Sequence, residues 1–170
     1  FAVKSELYVK DQEAKFARVL VPISKVALAT ADQAHVAFEA FFTHILMHEL
    51  MHGLGPHNIT VNGRPSTVRL AFKDTYSAVE EAKADISGLW ALRYLIDKGT
   101  LARSLEAQMY TTFLATCFRS IRFGVNEAHG RGIAIQLNYF LDHGGVKVAT
   151  DGTFSIDASR IKQNVADLTR

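Results

Sequence analysis

The chain has 170 residues, about half of them apolar, and a net charge of +2, which suits one domain with a sizeable core. The 19 basic residues are scattered and matched by 17 acidic ones, so no nucleic-acid face is expected. No stretch approaches the ~20 uninterrupted apolar residues of a membrane span, and no signal-peptide pattern opens the chain. It begins Phe1-Ala2-Val3, without Met, and is expected to be a piece of a longer protein.

Residues 3–9 and 17–29 mix β-branched and apolar side chains with charges, which predicts strands or irregular segments, the second broken at Pro22. Asp32 is placed to cap a helix that runs to Leu54. This helix carries Phe38, Phe41, Phe42, Ile45, Leu46 and Leu50 on most of its faces and so belongs in the interior. Gly53, Gly55 and Pro56 end it. Residues 57–72 read as a loop with a hairpin signal at Asn62-Gly63.

Helices follow over about 74–98, 101–122 and 126–142, punctuated by Gly99, Gly124 and Gly144-Gly145. Residues 146–156 alternate around Asp151-Gly152 as a hairpin, and a last helix covers 157–168. The single cysteine, Cys117, falls on the apolar repeat of the 101–122 helix and reads as a small buried hydrophobe. The class is mainly α (α+β), a helical core with a small β-hairpin component.

The segment richest in chemistry is His48-Glu49-Leu50-Met51-His52. Two histidines four apart lie on one helical face, so both imidazoles can reach one tetrahedral zinc ion. Glu49 is one step round the helix, where it can act as general base on a water at the metal without taking a coordination position. These polar groups interrupt a helix otherwise built for burial, and buried ionisable groups need partners.

Three candidates compete for the third ligand. His57 invites comparison with a longer His-Glu-x-x-His-x-x-Gly-x-x-His pattern, in which Gly55 is in place but residue 58 is Asn. His44 is a further turn back, and a straight ladder of three histidines would span about 12 Å from His44 to His52, too far for one ion. The best candidate is Glu81, in Glu80-Glu81-Ala82-Lys83-Ala84-Asp85. Asp85, on the same face, and Glu80 are suited to accept the distal N–H of a ligating histidine. The plainer alternative is a solvated acidic face partnered by Lys83.

His48 to Pro56, together with Tyr76 to Asp85, resembles the dipeptidyl-peptidase III family of zinc exopeptidases, most closely its bacterial members. The resemblance implies a helical zincin-like catalytic core in which an HExxH helix faces an ExxxD helix. It implies zinc held by His48, His52 and Glu81, with Glu49 as catalytic base. It also implies a later histidine that stabilises the tetrahedral intermediate, matched here by His129 in Glu127-Ala128-His129. By its sequence context alone, His129 reads as a structural helix-entry residue.

The best-known members carry an extra residue between the paired histidines, and the arginine expected after the later histidine is out of register at Arg131. Members are two-lobed and several times longer, so this chain is expected to be the metal-bearing core of one lobe. The function expected is release of dipeptides from peptide N-termini. The expected partners are a peptide substrate and the remainder of its own longer protein, with neither nucleic acid nor membrane. A non-catalytic zinc-stabilised peptide-binding module and a metzincin-like endopeptidase using His57 are the alternatives.

Overall fold

A computed structural model describes residues 2–170, with side chains from Glu6 onward. Among them are helices α1 (Ala2–Lys15), α2 (Val21–Ala27), α3 (Thr30–Gln33), α4 (Phe38–His52), α5 (Val68–Phe72), α6 (Tyr76–Asp97), α7 (Leu105–Ile121), α8 (Ala128–Asp142) and α9 (Ile161–Leu168). Strands β1 (Asn58–Val61) and β2 (Arg64–Thr67) form one antiparallel hairpin, and β3 (Val146–Val148) and β4 (Phe154–Ile156) form another. No helix among these residues is long and apolar enough to cross a membrane.

Helix α6 is the hub, packing on α4 along one side and on α8 along another, while α7 closes the core against α4 and α8. Phe41, Leu89, Leu92, Met109, Phe113 and Phe140 fill the space between these four helices. Close approach depends on small residues. A Cβ added at Gly88 of α6 would lie 3.1 Å from His48 N, and one at Gly132 of α8 would lie 3.1 Å from Ala78 O. The helices therefore meet backbone to backbone at the level of the histidine motif.

Both hairpins sit where their turn residues place them. Asn62 (φ 52°) and Gly63 (φ 75°) take the left-handed conformation of a two-residue turn, in register Val61↔Arg64. Asp151 Oδ1 accepts from Thr153 N at 2.9 Å, and Gly152 follows with φ 83°. Cys117 is buried, as its position in the apolar repeat requires.

The N-terminal third departs from the sequence reading. Residues 3–9 and 17–27 are helical rather than strand or irregular, because α1 and α2 run on through a π-helical turn, Phe16–Leu20, while Leu28 is extended and bridges Phe154. Val21 N–H reaches back to Phe16 O, and the widened turn admits Pro22, which has no N–H to lose, in the first turn of α2. The segment is held as helix by tertiary packing. Phe16 lies edge-on to Phe38 at 5.7 Å and tilted on Phe41 at 5.8 Å.

Asp32 caps nothing; it lies inside the short α3, and the long helix starts only at Phe38. Ala37 is extended there, its N–H donating to Thr112 Oγ1 of α7 at 3.1 Å, a contact 75 residues away. Residues 57–72 hold α5 as well as the hairpin, with Thr67 Oγ1 capping it by accepting from Leu70 N. The last helix begins at Ile161 rather than 157, since Asp157 Oδ1 accepts from Ser159 N at 3.0 Å and shapes a turn first.

Candidate metal centre

Helices α4 and α6 run side by side and bring His48, His52 and Glu81 together. One donor atom from each lies within 4.8 Å of the others. The edges of this triangle are 3.0 Å between the two Nε2 atoms, 3.3 Å from His48 Nε2 to Glu81 Oε2, and 3.7 Å from His52 Nε2 to the same oxygen. A tetrahedral ion with bonds of about 2.0–2.1 Å spaces its ligands about 3.3–3.4 Å apart, within the range of these three edges.

The far side of each ring is committed. His48 Nδ1 donates to Asp85 Oδ1 at 2.7 Å and His52 Nδ1 to Glu80 Oε1 at 3.1 Å, because a carboxylate can only accept. In the neutral rings both Nε2 atoms are then bare lone pairs, and they face Glu81 Oε2, a buried oxygen that receives no well-directed hydrogen bond. Three acceptors with no donor between them leave a place for a positive charge. A proton can serve, and His48 shows its pull. Burial works against its charged form, but the bond to Asp85, then contact with Glu81, raise its pKa to about 10. Correspondingly the His48 ring, ahead of any other group, holds the Glu81 carboxyl below its ordinary range.

A supporting layer surrounds this face. Gln136 of α8, fully buried, donates from Nε2 to Asp85 Oδ2 at 3.3 Å and fixes the carboxylate that orients His48. Sequence reading passed over Gln136; its one signal is an amide among the apolar positions of α8. Lys83 Nζ bonds Glu80 Oε1 at 2.7 Å and Leu54 O at 2.9 Å, tying α6 to the end of α4. It partners Glu80, not the Glu81–Asp85 face.

His44 is buried and lies outside the ligand triangle, its Nε2–H donating to Asp85 O at 3.0 Å while its ring meets Phe113 edge-on. Burial pushes its pKa down. His57 is exposed and outside the triangle; its carbonyl accepts from Val68 N at the base of the first hairpin. Its place in a ligand set, as in the endopeptidase alternative, has no geometric support.

His129, at the start of α8, is exposed, but its Nε2 is 3.0 Å from Glu81 Oε2 and its ring stacks over that of His48 at 6.1 Å. Arg131 turns away, its Nε donating to Val125 O at 3.0 Å. Glu49 is exposed and, among the described residues, free of hydrogen bonds and ion pairs. It borders a cleft of about 350 Å³ whose walls include His48, His129 and, from α1, Tyr8, Gln12 and Lys15. The α1 wall was invisible to a reading that made residues 3–9 a strand or an irregular segment.

No family model matches the chain. Solved structures do match it, among them two of dipeptidyl-peptidase III. Dipeptidyl-peptidase III from Corallococcus sp. strain EGB is 65% identical with a TM-score of 0.91, over 94% of this chain and 30% of that one. DPP III from Caldithrix abyssi is 43% identical with a TM-score of 0.92, over 95% of this chain and 31% of that one. A curated relative from Arabidopsis thaliana, called Nudix hydrolase 3, is 50% identical over 159 residues, 93% of this chain but 21% of its own length. The chain thus spans under a third of each of these relatives. The plant protein's name differs from the other two, and most of that protein lies outside the matched stretch. The two structures, by contrast, share both fold and sequence with nearly all of this chain, so its likeness is to dipeptidyl-peptidase III structures.

Proposed function

We propose that the chain is the metal-bearing catalytic core of a zinc peptidase that releases dipeptides from peptide N-termini. One observation carries the reading: three lone pairs, with no donor among them, converge at near-tetrahedral spacing beside the uncommitted carboxylate of Glu49. The nitrogen, nitrogen, oxygen donor set suits zinc and leaves a fourth position open. Bound zinc would supply a Lewis acid that polarises a peptide carbonyl and makes water a usable nucleophile near neutral pH.

In this reading His48, His52 and Glu81 hold the ion, while Asp85 and Glu80 fix the tautomers that turn both Nε2 atoms inward. Glu49 takes the proton of the attacking water and returns it to the leaving amine. His129, at the rim of the same cleft, donates to the oxygen on which charge develops. The dipeptidyl specificity is the one the two solved relatives are named for. The chain would be the core of one lobe of a two-lobed protein, with the grip on the peptide's N-terminus supplied from outside it.

The test is Glu49→Gln. Zinc content should stay near one per chain while dipeptide release, followed by mass spectrometry on short peptides, falls by roughly 10²–10⁴-fold. Unchanged release would refute the mechanism. A zinc-stabilised peptide-binding module without turnover is the second reading, favoured by the small share of its solved relatives that the chain covers. Zinc and peptide binding by the unaltered protein without any cleavage would establish it.

A further inference from the structure

Arg119 of α7 is half-buried, yet among the described residues it has neither a hydrogen bond nor a carboxylate within ion-pair distance. The other arginine sunk into this helical core is treated differently. Arg93 Nε lies 2.9 Å from Asp97 Oδ2, and its Nη1 donates to Glu106 Oε1 at 2.6 Å. A desolvated guanidinium offers five donors in a fixed fork, and leaving them unmatched is costly. Burial, then the neighbouring Arg122, pulls the Arg119 pKa down, which is the sign of a cation without a counter-ion.

Its position is the second observation. Arg119 borders the cleft that holds His48, Glu49 and His129, and it also borders an adjoining pocket of about 430 Å³ with Phe123, Glu127 and His129. It stands where the two cavities meet, its guanidinium 5.8 Å over the Phe41 ring, so the side chain is steadied by packing while its donors stay unspent. The remaining cation of that cleft wall, Lys15, is already paired with Asp11 at 2.7 Å.

We infer that Arg119 anchors a carboxylate of the bound peptide, supplied by its C-terminus or by an acidic side chain, and so sets which peptides this site accepts. The inference rests on the peptidase reading above. The fork of a guanidinium matches a carboxylate in two parallel hydrogen bonds, a geometry that neither an amide nor a neutral side chain reproduces.

The experiment measures the affinity of zinc-loaded protein for paired short peptides on a Glu49→Gln background, where cleavage does not intervene. One pair differs by a free or amidated C-terminus, the other by Glu or Gln within the peptide. With Arg119 intact, at least one pair should differ by about tenfold or more, the size of a charge-assisted hydrogen bond. Arg119→Gln should bring that ratio close to one, and Arg119→Lys should keep part of it. Loss in the first pair assigns the chain end, and loss in the second assigns the side chain. A ratio unchanged by Arg119→Gln, with zinc content and melting temperature intact, overturns the assignment; if that variant misfolds, full discrimination in Arg119→Met, which keeps the packing on Phe41, overturns it equally. Failure of the peptidase reading looks different, because protein with Glu49 intact would then leave bound peptides uncleaved, whereas the Arg119 ratio is read from binding alone; peptides that do not bind at all would overturn both.

Discussion

Helix α6 carries a charged cluster at each end, and the two are closed in opposite ways. Near its C-terminus Arg93 sits between Asp97 and Glu106, a cation among anions, and its charge is matched as folded. In its N-terminal half Glu81 meets the Nε2 atoms of His48 and His52, whose own protons point outward to Asp85 and Glu80. That cluster is a set of acceptors awaiting a positive charge. Similar residue types give a structural brace in one place and a candidate metal site in the other, and the difference lies in the balance of donors and acceptors rather than in burial.

The contrast breaks most sharply at Glu81. Glu81→Ala removes one corner of the triangle, and zinc affinity should fall by more than the ~10–100-fold carried by outer partners. Elemental mass spectrometry on purified protein reads this directly. Full zinc in the variant would mean that the acceptor face is not the metal site. Asp85→Asn comes next, since the amide can turn an N–H toward His48 Nδ1 and upset both ring tautomer and the bond from Gln136. A loss of about 10–100-fold in zinc affinity is expected by competition with a chelator, and no loss would show that Asp85 serves only the fold.

The acceptor face also predicts a proton balance. His48 is raised to about 10 without metal, so near pH 8 zinc should displace about one proton from it. Calorimetry in buffers of different ionisation enthalpy measures that release, and zero protons would contradict the arrangement. Stability follows the same sign. A raised histidine stabilises the metal-free fold fully below its unfolded value near 6.5, and the contribution is lost as pH rises through about 10. His44, one turn back, acts the other way. Its lowered pKa favours the neutral ring, so its contribution is present above about 6.5 and lost as pH falls below it. Metal-free protein should therefore lose stability at both extremes, while zinc-loaded protein should be spared the alkaline loss.

Much of the acceptor face could be read from the sequence, since helical spacing alone puts His48 with His52 and Glu81 with Asp85 on shared faces. The four long helices and both hairpins also announce themselves through period and turn residues. What escaped depends on contacts between distant residues. The helical course of residues 3–9 and 17–27 is set by packing of Phe16 on Phe38 and Phe41 and by a π turn that accommodates Pro22, neither of which leaves a local pattern. Gln136 and Gly88 act only across helix pairs, the first on Asp85 and the second by letting α6 approach the backbone of His48. Arg119 looks like any helix arginine until the absence of a carboxylate beside it, among the described residues, can be seen.

The smallest effect is expected at the other end of α6, and it is the control for all the rest. Arg93→Met keeps the stem's packing and removes the cation. The orphaned carboxylates are not sealed in, for Asp97 is 50% exposed and Glu106 34%, so water can take the place of the guanidinium. The cost should stay near that of surface pairs, up to about 1 kcal/mol in a denaturant melt, with zinc content unaltered. If the same variant also lost zinc, the two ends of α6 would be coupled through the helix, and the division between a charge-matched brace and an open acceptor face would fail. An unchanged zinc content beside a small loss of stability would show instead that metal binding belongs to three converging lone pairs, independent of the other charges that α6 displays.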